Sequence, residues 1–155
     1  MIDLRRVLVP TDFSKHSETA LTYGGTFAER FGAELHLLHV QQDLAIVVPD
    51  VISALPPPMP ARDDLIATVV AAFNRLVHMH ALEKLTVVKE VRFGTPYHEI
   101  VEYARESNID LIVMGTHGHG GLVHLLLGSV TEKVVRKSPC PVLTVRNPEH
   151  EFVHP

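Results

Sequence analysis

Residues 110–130 read DLIVMGTHGHGGLVHLLLGSV, an apolar run that leads through a glycine-rich stretch into the start of a helix. The run DLIVMG (110–115) has the length and apolar character of a buried strand. Five of the nine glycines of the chain lie between residues 115 and 130. The sequence GSVTEKVVRKS (128–138) predicts a short helix with basic residues in its last turn, which the helix dipole favours. Strand, turn and helix together form one unit of an α/β fold.

Apolar runs of strand length recur along the rest of the chain and alternate with helical segments. Strands that are apolar on both faces are typical of a parallel sheet covered by helices on both sides. We therefore predict a single α/β domain over residues 1–147, built on five parallel strands, with a loose tail at 148–155. The other predicted strands are RRVLVP (5–10), ELHLLHV (34–40), TVVKEVRFG (86–94) and PVLTV (141–145).

The first predicted helix has clear boundary signals. Asp12 or Ser14 can cap its start, and Gly32 can end it. A glycine pair, Gly24-Gly25, lies inside it and costs helix stability, about 1 kcal/mol per glycine relative to alanine. We therefore expect close packing of this helix against the sheet.

Two more helices precede the glycine-rich stretch. One is predicted over 61–85, and another begins at Thr95-Pro96 and runs to about Ser107, with threonine as the cap and proline in the first helical position. Five prolines between residues 49 and 60 exclude a regular helix or a central strand there, so this segment is predicted as a long connection.

Composition narrows the class of protein. With 155 residues, 46% of them hydrophobic and 21% charged, the chain can bury one sizeable core. A formal net charge of -4 argues against general nucleic-acid binding, which needs a basic surface. No apolar run approaches the roughly 20 residues of a membrane span, and the N-terminus lacks a signal peptide. The single cysteine, Cys140, agrees with a reducing compartment, so a cytoplasmic protein is expected, and Cys140 reads as an apolar residue entering a strand rather than a nucleophile.

The glycine-rich stretch has the chemistry of a phosphate site. Glycine lets backbone N–H groups approach a ligand, and the helix that starts near Gly128 adds unpaired N–H donors and a partial positive charge. Ser129 can add a hydroxyl donor. The alternative is a loop that merely needs tight turns. Two familiar phosphate motifs are absent, because no lysine follows Gly128 as in a P-loop and Val123 occupies the third glycine position of the dinucleotide fingerprint.

Four motifs in order make the chain resemble the universal stress protein family. They are VLVPTDFS at the N-terminus, the strand LHLLHV, the junction MGTHG and the ending SPCPVLTV. The spacing Gly115-x2-Gly118-x9-Gly128-Ser129 is similar to the nucleotide-binding motif of the ATP-binding branch. The resemblance covers Val7 to Val145 and implies a Rossmann-like sheet of the adenine nucleotide alpha hydrolase type, with strand order 3-2-1-4-5.

The resemblance also implies which residues contact an adenine nucleotide. Val40, through its backbone, and Met114 would hold adenine, and Asp12, in the segment Pro10-Thr11-Asp12, would bind on the ribose side. Mg²⁺ would bridge phosphate oxygens with Thr131 close by, and His119 could add positive charge if protonated. The phosphates would be contacted by Gly115, His117, Gly118, Gly128, Ser129 and Val130.

The chain departs from this pattern in one respect that leaves the ligand open. The segment HGGLVHLLL (119–127) contains no lysine or arginine against the charges of a triphosphate. ATP, ADP and AMP therefore all remain candidates. We expect a stress-response binding module that regulates a partner the sequence does not identify. A slow ATPase or phosphotransferase is the alternative, but the sequence offers no arginine near the phosphates and only His117 and Asp12 as possible bases.

Two further expectations concern assembly and metals. The resemblance implies a homodimer through the last strand (Val142, Leu143, Thr144, Val145), whose apolar edge would otherwise be bare. Eleven histidines invite a metal site, but the pairs His117-x-His119 and His78-x-His80 have no accompanying cysteine or carboxylate cluster. We predict no metal held by the protein alone. His36 and His39, three apart on one strand, should point to opposite faces of the sheet.

Overall fold

The computed structural model of the 155-residue chain describes residues 2–42, 61–116 and 128–146. Within them the predicted alternation of strands and helices is confirmed. The elements are β1 (Arg6–Pro10), α1 (Lys15–Phe31), β2 (Glu34–Gln41), α2 (Arg62–Met79), β3 (Val87–Phe93), α3 (Pro96–Glu106), β4 (Leu111–Gly115), α4 (Ser129–Lys137) and β5 (Val142–Val145). The proline-rich segment and the tail fall outside the described residues, so those two predictions remain untested.

All five strands run parallel in one sheet with the order β3-β2-β1-β4-β5, as predicted. The chain first winds outward from β1 to β3 and then crosses back to β4 on the other side of β1. The direction of winding therefore reverses between β1 and β4, and in sheets of this kind ligands bind where strands end at such a reversal. We call this side of the sheet the carboxyl edge and the opposite side the amino edge.

Helices cover both faces of the sheet and enclose two core clusters. Side chains of β1 alternate between them, since Val7 and Val9 belong to the first cluster and Leu8 to the second. The first cluster lies under α1 and α2, where Phe73 is fully buried, and the second under α3 and α4, where Val134 is fully buried. Complete burial of such a side chain contributes about 1.5–3 kcal/mol, so each face contributes to stability.

Close contact between α1 and the sheet explains why glycines stand inside this helix although they lower its stability. A Cβ placed on Gly24 would lie 2.3 Å from Val9 Cγ2, and one on Gly25 would lie 2.8 Å from Leu82 Cδ2. Ser14 rather than Asp12 caps the helix, since its side chain accepts from the backbone N–H of Ser17. The helix ends at Gly32 in the left-handed conformation, as expected.

The predicted end of α2 was wrong by six residues, because the helix stops at Met79 rather than at residue 85. Ala81 adopts a left-handed conformation with φ 51°, and Leu82 N donates to Val77 O at 2.9 Å across the helix end. This hydrogen-bond pattern usually places glycine where Ala81 stands, so the sequence gave no stop signal. The turn directs Leu82 into the first core cluster, and that burial offsets the strain at Ala81.

The histidines of β2 point to opposite faces, which confirms the expectation. His36 is buried on the second cluster, with Nδ1 2.7 Å from the hydroxyl of Tyr103. His39 lies on the other face, and its Nδ1 donates to Thr11 O at 2.9 Å. Cys140 packs against the second cluster, and burial raises the pKa of its thiol, which agrees with a structural residue.

One carboxylate ties β1 to β4 at the amino edge. Asp110 Oδ2 accepts from the backbone N–H of Arg5 at 2.8 Å and from that of Arg6 at 2.9 Å. The amide of Asp110 in turn donates to Arg6 O at 3.0 Å. Residue 110 therefore fastens the start of both strands together.

Two negative findings apply to the part of the chain that the structure describes. None of its helices is long and apolar enough to cross a membrane. No group of three or more His, Cys, Asp or Glu side chains in these ranges could hold a metal ion.

Candidate functional site

The hydrogen-bond ladder between the two central strands ends before the carboxyl edge. β1 pairs with β2 over its whole length, from Arg6 with Glu34 to Pro10 with Leu38. Its pairing with β4 covers only Val7 with Leu111 and Leu8 with Ile112, although β4 continues to Gly115. The ladder between β1 and β4 therefore stops at the point where the winding reverses, and we call the unpaired part of this border, beyond Leu8 and Ile112, the gap.

Proline accounts for the early end of the β1–β4 ladder. Thr11 N donates to Leu38 O at 2.9 Å, so the amide of Thr11 faces β2. Because successive amides of a strand face opposite neighbours, the nitrogen of Pro10 faces β4, and proline has no N–H to donate. The early end of the ladder thus follows from one residue at the end of β1.

The segment after β1 is held by its own side chains. Asp12 is half-buried, and its Oδ1 accepts from the amide of Ser14 at 3.0 Å and from the Ser14 hydroxyl at 2.6 Å. Thr11 is buried, and its hydroxyl accepts from the amide of Phe13 at 3.0 Å and lies 2.9 Å from the hydroxyl of Ser17. Asp12 therefore supports the helix cap that Ser14 provides, and both residues fix the backbone beside the gap.

Phe13 is a residue of this segment that sequence reasoning missed. It has a left-handed backbone with φ 63°, which is an outlier for a bulky side chain. Its ring lies 4.9 Å from the ring of His39 and 5.5 Å from that of Phe73, centroid to centroid. These contacts hold the strained backbone in place, and such strain is concentrated at functional sites. The only sequence signal was an aromatic residue directly after the strand-ending Pro10-Thr11-Asp12.

Helix α4 presents an open N-terminus to the gap. Its cap is Gly128, which has no side chain to bond the first amides. The amide of Gly128 itself donates to Thr116 O at 2.6 Å, so the start of α4 is fixed to the end of β4. The amides of Ser129, Val130 and Thr131 have no partner within the helix, and we find none for them elsewhere among the described residues. These amides make the helix start an anion-binding group.

Thr131 positions the helix. Its side chain is buried, and its hydroxyl donates to Gly115 O at 2.9 Å. This bond gives Thr131 a structural role, and its expected place next to Mg²⁺ stays a prediction. Gly115 is also buried, at the end of β4, so the two residues join the strand to the first turn of α4.

Three residues expected at the site lie on one apolar surface. Met114 belongs to the second core cluster, and Val40 and Val130 pack against the same cluster while staying partly exposed. They come from the ends of β4 and β2 and from the start of α4. The structure therefore brings together an apolar surface, the segment after β1 and the open helix start. The remaining expected residues, His117, Gly118 and His119, lie outside the described residues.

Arg146 is the second residue that the sequence analysis missed. Thr116 N donates to Val145 O at 3.0 Å, which places the residue after β5 next to the end of β4. The expectation that no arginine lies near the glycine-rich stretch considered sequence neighbours only. The parallel pairing of β4 with β5 brings Arg146 to the same edge from a distance in sequence.

Comparison with known proteins identifies the group to which this arrangement belongs. Residues 3–146 match the sequence model of the universal stress protein family. The chain belongs to the universal stress protein family. The universal stress protein MJ0531 of Methanocaldococcus jannaschii is 34% identical over 152 residues, which cover 95% of this chain and 85% of that protein.

Solved structures of universal stress proteins agree with the fold. The structure of MJ0577, also from Methanocaldococcus jannaschii, superposes with a TM-score of 0.77 at 28% identity, covering 96% of this chain and all of the other. A universal stress protein solved in complex with cAMP superposes with a TM-score of 0.65 at 27% identity, covering 93% of this chain and 98% of that one. These two structures therefore share the α/β fold of this chain.

Proposed function

We propose that this universal stress protein binds an adenine nucleotide, ATP, ADP or AMP, at the carboxyl edge, and that occupancy regulates a protein partner. The observation that carries the proposal is the uncapped start of α4, whose cap Gly128 is bonded to Thr116 at the end of β4, the strand whose ladder with β1 stops short of the carboxyl edge. The relative solved with cAMP supports an adenine nucleotide as the ligand. A ligand can regulate only if the partner binds the occupied and empty forms with different affinity.

In this proposal the apolar surface binds the base of the nucleotide, and the start of α4 binds its phosphates. Adenine would lie on the surface that includes Met114, next to the backbone of Val40, and the carboxylate of Asp12 would accept from a ribose hydroxyl. The phosphate oxygens would accept hydrogen bonds from the amides of Ser129 and Val130 and from the exposed hydroxyl of Ser129. Gly115 and Gly128 contribute through their missing side chains, since the amide of Gly128 already bonds Thr116.

Mg²⁺ would reach the site together with a polyphosphate. Mg²⁺ usually keeps several waters and is held by substrate phosphates with one or two carboxylates. The described residues fit that limited role through the half-buried carboxylate of Asp12. Among the described residues no group of three or more His, Cys, Asp or Glu side chains could hold the ion without help from the ligand.

The first experiment identifies the ligand. The protein is purified without added nucleotide and denatured, and the released small molecules are identified by mass spectrometry; calorimetric titration with Mg-ATP, ADP and AMP follows. We expect an adenine nucleotide to co-purify or to bind with micromolar affinity. If none of the three binds, the proposal is wrong and the search moves to protein partners.

A substitution at the helix cap separates binding from folding. The dihedral angles of Gly128, φ -65° and ψ 151°, suit any capping residue. In Gly128→Asp the new carboxylate would accept from the first amides of α4, which stabilises the helix by about a few tenths of a kcal/mol and blocks the phosphates. We expect an unchanged or higher melting temperature together with a loss of nucleotide affinity of about 100-fold or more, since several charged hydrogen bonds disappear.

Gly128→Ala is the matched control for that variant. Alanine adds a Cβ without a capping oxygen, so affinity should fall far less than with aspartate. If Gly128→Asp keeps the affinity of the wild type, the start of α4 is not the phosphate site.

We also propose a homodimer through β5. Within the described sheet β5 has one neighbour, β4, and therefore leaves an unpaired edge. Val142 and Leu143 pack against the core clusters, so a charge there would disturb the monomer as well. Thr144→Lys is the better probe: we expect sedimentation equilibrium to show a dimer for the wild type and a weakened one for the variant. A monomeric wild type would contradict the proposal.

A further inference from the structure

The order of the strands sets the order in which residues along the carboxyl edge would contact the parts of a nucleotide. From β2 to β5 the carboxyl edge presents Val40, Asp12, Gly115 and finally Arg146. In the proposed function, on which this inference rests, adenine, ribose and the first phosphate take the first three positions. Neighbouring strands lie about 4.8 Å apart, so further phosphates continue toward the end of β5.

Two backbone hydrogen bonds place Arg146 beside the start of α4. Thr116 N donates to the carbonyl of Val145, the residue directly before Arg146. Thr116 O accepts from the amide of Gly128, the cap of α4. Arg146 and the uncapped helix start are therefore attached to the same residue from opposite sides.

The alternation of side chains along β5 directs Arg146 to the correct face. Leu143 and Val145 pack with the first core cluster, and Val142 packs with the second. One residue after Val145, the alternation puts Arg146 on the face of the second cluster, where α4 begins. Arg146 is exposed at this edge.

The charge of the ligand explains why a cation is needed there. The start of a helix carries about half a positive charge, which suits one phosphate but falls short of the charge of ADP or ATP. Residues 119–127 contain no lysine or arginine. We propose that Arg146 binds the phosphates beyond the first and thereby sets the preference of this protein for ATP and ADP over AMP. A guanidinium is suited to this role because it bonds phosphate oxygens in pairs.

The test compares two cations at the same edge of the sheet. Lys15 is exposed and starts α1, on the face of the first core cluster, so it serves as the matched control for Arg146. Wild type, Arg146→Gln and Lys15→Gln are titrated with ATP, ADP and AMP by calorimetry at low and moderate salt. Loss of a charged hydrogen bond predicts about tenfold weaker ATP binding in Arg146→Gln, with AMP changed less than about twofold.

The salt dependence of ATP affinity and the conservative variant Arg146→Lys test the role of the charge of Arg146 further. Because screening weakens charge pairs, added salt should reduce ATP affinity more in the wild type than in Arg146→Gln. Arg146→Lys should retain part of the preference for ATP, since it keeps the charge and loses the paired geometry. Lys15→Gln should match the wild type with all three nucleotides.

The outcomes distinguish this inference from the proposed function. If the wild type binds none of the three nucleotides, the proposed function fails. If it binds them and Arg146→Gln lowers ATP and AMP affinity equally, or lowers neither, the site stands and the role of Arg146 is overturned. An equal loss of ATP affinity in Lys15→Gln also overturns it, because it shows a general effect of charge.

Discussion

The border between β1 and β4 differs at its two ends. At the amino edge the carboxylate of Asp110 accepts from two amides of the chain that enters β1. At the carboxyl edge pairing stops after Leu8 and Ile112, and Pro10 offers no donor to extend it. The same two strands are therefore joined differently at the two ends of their border, by a side chain at the amino edge and without a ladder pair at the carboxyl edge.

The largest effect should come from releasing the fixed end. In Asp110→Ala the amides of Arg5 and Arg6 lose their acceptor, and two hydrogen bonds to a charged group disappear. We expect a loss of about 2–3 kcal/mol in the free energy of unfolding, measured by urea denaturation. Asp110→Asn keeps an acceptor oxygen and should lose less. A neutral result for the alanine variant would mean that this carboxylate does not hold the strands.

A smaller effect is expected from crowding the free end of β1. Val9 lies one residue beyond the last pair with β4, and Gly24 packs against it. Gly24→Ala forces a stiff, branched side chain to move, which costs about 1–2 kcal/mol net of the gain in helix propensity. Gly25→Ala is the matched control, because its new Cβ meets only the flexible end of Leu82. Equal losses in both variants would show that α1 is simply intolerant of side chains.

A buried histidine where β1 pairs with β2 predicts that the free energy of unfolding depends on pH. His36 pairs there with Leu8, and burial lowers the pKa of its imidazole below the usual 6.5, against the opposing effect of Glu34. The unfolded chain therefore binds a proton more readily than the folded one. Stability is complete above about pH 6.5 and falls as the pH drops toward the lowered pKa, by at most about 1.4 kcal/mol per pH unit.

Urea denaturation between pH 5 and 7.5 checks this dependence. His36→Leu should flatten the curve over that range, whereas Tyr103→Phe should lower stability at every pH and keep the slope. The tyrosine variant removes the hydroxyl 2.7 Å from His36 Nδ1 and leaves the imidazole buried. An unchanged slope in His36→Leu would assign the pH dependence to other groups.

The smallest change in stability should come from closing the gap itself. Pro10→Val supplies the N–H that faces β4, so the ladder can extend by one bond and add less than about 1 kcal/mol. Hydrogen exchange of the new amide reports whether the bond forms. If it does, nucleotide affinity should fall although stability does not, and this opposite response would connect the opening to binding. Rapid exchange with unchanged affinity would show that the gap does not depend on proline.

Local patterns predicted the elements of the fold, because most strands are largely apolar runs and α1 carries capping residues at both ends, Ser14 and Gly32. Ala81 shows a limit of such patterns, since burial of Leu82 places an alanine where local rules predict continued helix. The strand order was implied by the family resemblance, and the structure confirms it.

The candidate site was predictable only in part, for a physical reason. Residues on one short segment, such as Asp12 and Ser129, could be found from motifs. Arg146 and Phe13 could not, because their positions depend on strand pairing and on ring contacts across elements. The sequence also placed Pro10 at the end of a strand without showing that its nitrogen faces β4.

All five strands point the same way, so the described chain enters the sheet at one edge and leaves it at the other. A surface linker attached at the start of β1 would lie at the amino edge, on the side of Asp110. A fluorophore attached at the end of β5 would lie at the carboxyl edge. The first attachment suits immobilisation for binding assays, and the second suits an optical reporter of occupancy.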